Sequence, residues 1–149
     1  MSLEDTIMSD LKVAMKKKDQ AGLRTIRAIK AVLLLKKTER HPVEITPEVE
    51  IKLLQKMTKQ RQESLDIYQK QNRADLARKE MEEIEIIKKY LPDQLKPDEL
   101  KRLLQEVILE TGATRMKDMG KVMELANKNL AGKAENTLIA GIVKSLLSN

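Results

Sequence analysis

The chain has 149 residues, with 29 Lys and Arg against 23 Asp and Glu, and contains no cysteine, tryptophan or phenylalanine. The lack of cysteine excludes disulfides, thiolate metal sites and a cysteine nucleophile, and the single histidine, His41, excludes a multi-histidine metal centre. No run of 18 apolar residues occurs, so no membrane-spanning helix is expected.

Abundant Leu, Lys, Glu, Gln and Met favour helix, and an all-α protein is expected. The first ten residues are polar and mixed in charge, unlike a signal peptide, and the default expectation is a cytoplasmic protein. Residues 2–18 are amphipathic, with Leu3, Ile7, Leu11 and Met15 at steps of four and Met8 and Ala14 beside them. Residues 19–22 interrupt the pattern. A second helix over residues 23–38 directs Leu23, Ile26, Ile29, Leu33 and Leu34 toward a core. Residues 40–46 read as a loop around Pro42, with His41 in solvent.

Thr46-Pro47-Glu48 is a helix start: a hydroxyl cap, proline at the first position, then acid in the first turn. The third helix is expected to reach about residue 71 and the fourth to span residues 73–90. Arg61 shares the apolar face of the third helix with Leu54, Met57 and Leu65. Glu80 and Glu83 share that of the fourth with Leu76, Ile84 and Ile87. A charge on a core-facing stripe needs a partner. The two helices should therefore be antiparallel neighbours, with Arg61 reaching Glu80 or Glu83. Lys30, set among Leu23, Ile26 and Leu34, either completes this ion-pair cluster or snorkels to water.

Pro92 and Pro97 bracket a short polar link, which divides residues 1–92 from residues 93–149. Three shorter helices follow. Residues 98–110 present Leu100, Leu103, Leu104, Val107 and Ile108 on one face. Residues 115–130, capped by Thr114, present Met116, Met119, Val122, Met123, Ala126 and Leu130. After Gly132, the last helix presents Leu138, Ile139, Ile142, Val143 and Leu146. The expected architecture is a four-helix bundle followed by a three-helix bundle.

The charge is uneven. Residues 12–40 hold ten Lys or Arg, Lys16, Lys17, Lys18, Lys36 and Lys37 among them, against Asp19 and Glu39. A second basic face combines Lys117, Lys121 and Lys128, opposite Met119, Val122 and Ala126, with Lys133 in the glycine loop before the last helix. The free N–H groups at the start of that helix could help to grip phosphates, although Glu124 lies in the middle of the lysine face. With no Phe or Trp and both tyrosines on core stripes, base stacking is not available, and an RNA ligand would be read by shape and phosphate. No catalytic apparatus, Gly-rich phosphate loop or cofactor motif is visible; a lysine-activated serine stays open, and Glu80 and Glu83 could serve acid–base chemistry or a metal, although neutralising Arg61 inside the bundle is the stronger reading.

The run Lys59-Gln60-Arg61-x-Glu63-Ser64, then Tyr68, Arg73-x-Asp75-Leu76-Ala77 and Tyr90-Leu91-Pro92, resembles the YqeY family. Met119-Gly120-Lys121-Val122-Met123 and Gly132-Lys133-Ala134 resemble the tail that this family shares with GatB, a subunit of tRNA-dependent amidotransferase. The resemblance implies tRNA as a partner, a tail-like domain over residues 93–149, and an association with glutamine-dependent carbon–nitrogen ligase activity that would need partner subunits. The alternative is a protein-interaction module whose basic helices dock on an acidic partner without RNA.

Overall fold

The structure, a computed structural model, describes residues 2–148 and is all-helical, with seven α-helices, one 3-10 turn and no strand among the described residues. The chain divides into two compact units, one ending at Leu91 and the other beginning at Pro92.

In the first unit, α1 (Leu3–Lys17) starts at Ser2, whose hydroxyl accepts from the Asp5 N–H at 3.2 Å. It ends at Lys18, which adopts the left-handed conformation at φ 54°. Helix α2 (Gln20–Lys37) begins almost at once, because the Asp19 carboxylate accepts from the Gly22 N–H at 3.0 Å. The expected break over residues 19–22 thus shrinks to two residues. Gly22 belongs to the new helix, where a Cβ would lie 2.4 Å from Asp19 Oδ2.

Helix α3 (Pro47–Lys70) starts as its signal demands: Thr46 Oγ1 accepts from the Val49 N–H at 3.3 Å, with Pro47 at the first position. A three-residue turn with Asn72 in the left-handed region (φ 57°) reverses the chain into α4 (Ala74–Lys88). Helices α3 and α4 pack along each other, α2 rests mainly on α4, and α1 rests on α2.

The apolar interior of this unit is in two parts. The larger joins Ile7, Ile26, Ile29, Leu54, Met57 and Ile87 with their neighbours; the smaller is Leu65, Ala77 and Ile84, with Tyr68 against them. Tyr90 Oη donates to Asp10 Oδ2 at 2.6 Å and ties the end of α4 to α1. Burial, with the carboxylate adding to it, pushes the phenol well above the ordinary tyrosine pKa. Both tyrosines are half-buried.

In the second unit, α5 (Pro97–Thr111) ends at Gly112, whose φ of 72° suits glycine. A 3-10 turn (Met116–Asp118), α6 (Met119–Asn129) and α7 (Asn136–Leu147) follow. All three α-helices pack on one another around Leu104, Val122, Ala126, Ile139 and Val143. Thr114 does not cap the next helix. Instead Asp118 reaches back, its Oδ2 accepting from the N–H groups of Thr114 at 3.1 Å and Arg115 at 3.2 Å.

Five apolar residues of the expected stripes are exposed: Met8, Met15, Leu34, Met116 and Leu138. Met8, Met15, Leu34 and Leu138 each lie one residue from a buried position, about 100° around the helix, and fall off the edge of the contact, while Met116 lies in the 3-10 turn between exposed Arg115 and Lys117.

Because Ile87 has no exposed surface while Leu109 is 82% exposed, Ile87→Ala should destabilise by about 2–5 kcal/mol. Leu109→Ala should fall within about 0.5 kcal/mol of the parent in the same urea titration.

Candidate nucleic-acid interface

Lys117 lies in the 3-10 turn, Lys121 in the first turn of α6 and Lys128 in its last. Lys117, Lys121, Glu124 and Lys128 follow one another at steps of four, three and four, so they form one exposed stripe. Lys133 is exposed in the loop between α6 and α7. None of these four lysines takes part in an ion pair among the described residues. Two carboxylates temper them. Glu124 interrupts the stripe, and Asp118 adjoins Lys117. The hydrogen bond from the Thr114 N–H, then that from Arg115, holds Asp118 below the usual aspartate pKa, and Lys117 and Lys121 add to the shift.

The loop carrying Lys133 is held from two sides. Gly132 supplies a φ of 75°, and the Lys133 N–H donates to the Leu130 carbonyl at 2.9 Å. From the preceding link, the Leu95 N–H donates to the Lys133 carbonyl at 2.9 Å and Gln94 Nε2 to the Gly132 carbonyl at 2.7 Å. Helix α7 then begins at Glu135, which is extended and makes no side-chain cap. As at α4, α5 and α6, its first N–H groups receive no side-chain acceptor from the cap residue, unlike those that Ser2, Asp19 and Thr46 cap.

The second basic region is differently placed. Lys17 is exposed at the end of α1, on the rim of a depression of about 220 Å³ shared with Asp10, Asp19, Lys89 and Tyr90. Lys36 pairs with Glu39 at 3.2 Å, and Lys37 pairs with Glu4 at the far end of the α1–α2 hairpin.

The charged layer inside the first unit joins three helices. Glu83 Oε1 stands 3.9 Å from Arg61 Nη2 on α3 and 3.7 Å from Arg24 Nε on α2. Arg24 Nη2 also reaches Glu82 Oε2 at 3.3 Å, and Arg78 Nε meets the other oxygen of Glu82 at 3.2 Å. Arg61 Nη1 donates to the Met57 carbonyl at 3.3 Å. Burial, then the neighbouring Glu83 charge, raises the Glu80 carboxyl above the usual glutamate pKa, against the pull of Arg61 and Arg24.

Lys30 is not in this layer: it is exposed, and Arg24 occupies the place considered for it. The two are six residues apart and lie about 120° from each other around α2, with Lys30 on the α1 flank and Arg24 reaching α4. Arg24 and Glu82 carry no signal in the sequence, because neither falls on an apolar stripe. Among the described residues no group of His, Asp or Glu is arranged to hold a metal ion.

The family model of Yqey-like proteins matches residues 4–147. The chain belongs to this family. Among its relatives are three proteins named "Altered inheritance of mitochondria protein 41, mitochondrial". The one from Vanderwaltozyma polyspora is 28% identical over 96% of this chain and 80% of its own length. That from Clavispora lusitaniae is 34% identical over 97% of this chain and 87% of its own. That from Meyerozyma guilliermondii is 30% identical over 95% and 78%. The mitochondrial location in these names overturns the expectation of a cytoplasmic YqeY-like protein. A chain without cysteine has no thiol to report on its redox compartment, so composition had no power to place it.

Arg61→Leu should destabilise by about 3 kcal/mol, at the low end for a broken buried pair because Arg24 still faces Glu83. Adding Arg24→Leu removes that remaining partner, and the double variant should lose more than the sum of the single losses in a urea double-mutant cycle. At Glu80 the raised pKa means that folding binds protons, so stability falls as pH rises from the ordinary glutamate value through the folded one. Glu80→Gln should therefore raise the melting temperature at pH 7, and the gain should vanish below the ordinary glutamate range.

Proposed function

We propose that the protein is a tRNA-binding accessory module, related to the tail of GatB, that grips phosphates with Lys117, Lys121, Lys128 and Lys133. The observation that carries this reading is four lysines on one face and its adjoining loop that take part in no ion pair among the described residues, beside a helix start that the Glu135 side chain does not cap. An uncapped helix start presents oriented N–H groups and partial positive charge, which suits a phosphate. The lysines supply long-range attraction and contact. The loop that carries Lys133 is pinned at its backbone, so less entropy is lost when that contact forms. The same reading takes residues 1–92 as a four-helix bundle and residues 93–149 as the three-helix unit that presents this surface.

Lys17 and Lys36 are the weaker arm. Lys36 is already neutralised by Glu39, and Lys17 shares its depression with two aspartates. Binding through phosphates alone, without aromatic stacking, favours a folded RNA recognised by shape.

Filter retention of total tRNA against salt tests the proposal. With about four phosphate contacts, raising salt from about 50 to 200 mM should cost about two orders of magnitude in affinity. Lys121→Glu with Lys133→Glu should weaken retention and leave the melting temperature unchanged, since both side chains are exposed. Lys36→Glu should change retention much less. No retention at low salt, or full retention by the Lys121/Lys133 variant, would refute the tail as the binding surface.

A further inference from the structure

The two-residue connection between α1 and α2, together with the Lys37–Glu4 ion pair at the opposite end, sets these helices side by side and antiparallel. Following α1 from Glu4, the outer edge of the seam carries Met8, Lys12 and Met15. Following α2 back from Lys37, it carries Leu34, Lys30 and Arg27. The core-facing edge is different: Ile7 and Ala14 on α1, and Ile26, Ile29 and Leu33 on α2, are all buried. Met8, Met15 and Leu34 are 37%, 56% and 60% exposed. One such residue would be ordinary, but three along one seam form an apolar strip with no internal role. Lys12, Arg27 and Lys30 border it, all exposed and none in an ion pair among the described residues.

We propose that the outer seam of the α1–α2 hairpin is the docking groove for an acidic amphipathic helix of a partner protein. The partner's apolar ridge lies on Met8, Met15 and Leu34, and its carboxylates meet Lys12, Arg27 and Lys30. Charge complementarity selects this occupant. A second copy of the chain would bring a further net charge of +6 and be repelled. Shape agrees, because a seam between two helices receives a rod. Met8 and Met15 are seven residues apart, about 10 Å along the axis, which matches anchors two turns apart on a bound helix. Two of the three apolar contacts are unbranched methionines, which adapt to a partner's ridge. A phosphate backbone would make no use of the apolar strip. The inference does not rest on the tRNA reading, which concerns the other unit.

The test uses the full-length protein and a fluorescein-labelled synthetic peptide of about 18 residues, five helical turns, with leucine at i, i+3, i+4 and i+7 and glutamate on the remaining faces. Fluorescence anisotropy should show saturable binding. Leu34→Glu and Met15→Glu, each with an unchanged melting temperature, should weaken it by about tenfold or more. Lys12→Glu with Lys30→Glu should lose the acidic peptide and gain a lysine version of the same peptide, a reversal that no folding defect can imitate. Equal binding of a scrambled peptide of the same composition would reduce the effect to bulk charge and overturn the proposal. So would sedimentation with phosphatidylserine vesicles, in the absence of peptide binding, that Leu34→Glu abolishes, because the face would then serve a lipid surface. Loss of tRNA retention through Leu34→Glu would overturn it in favour of nucleic acid.

Discussion

Glu83 holds the first unit in register. Its carboxylate lies between Arg61 of α3 and Arg24 of α2, at the level where the apolar interior divides into its larger and smaller parts. A paired helical hairpin with purely apolar stripes could shift by a turn at modest cost, since leucine and isoleucine tolerate many partners. A buried carboxylate cannot shift, because leaving it unpaired costs several kcal/mol. The ion pairs at 3.7 and 3.9 Å are longer than hydrogen bonds, and the buried Nε–H groups of both arginines find no hydrogen-bond partner. The layer therefore contributes to alignment more than to net stability.

The cations of the surface fall into two classes once the chain is folded. At the end of α2, Lys36 and Lys37 are both matched by glutamates, one from the following loop and one from the start of α1. In the 3-10 turn, on α6 and in the loop after it, Lys117, Lys121, Lys128 and Lys133 take part in no ion pair among the described residues. The basic segment over residues 12–40 thus holds both kinds, since Lys12, Arg27 and Lys30 there take part in no ion pair among the described residues. A paired lysine must break its ion pair before it neutralises a phosphate, so counterion release favours the second set.

The exposed methionines and leucines follow the same logic of edges. An amphipathic stripe read at steps of three and four is about 100° wide or more, whereas the neighbour of a two-helix contact covers less of it. Met15 and Leu34 lie at the margin of their stripes and stay in water. In a helical protein without aromatic bulk in its core, that margin is where apolar surface remains for a partner.

The sequence by itself determined the helical class, the capped helix start at Thr46-Pro47, and the membership in the family. Thr46-Pro47 and Gly112 act through their own backbone neighbours, so no distant residue can override them. It also marked Arg61, Glu80 and Glu83, because a charge on an apolar stripe is conspicuous whatever lies across from it. Tertiary structure alone decided which groups meet. Arg24 sits off the stripe, yet its long side chain reaches Glu82 and Glu83 on α4, while Lys30, on the stripe, points to water. The turn before α6 is a local exception: Asp118, not Thr114, organises it, accepting the Arg115 N–H three residues back as the acid of a capping box does, and the Thr114 N–H besides. Pairing across 33 or 59 residues, as in Glu4–Lys37 and Arg24–Glu83, depends on how helices lie against one another, and local periodicity holds no information about that.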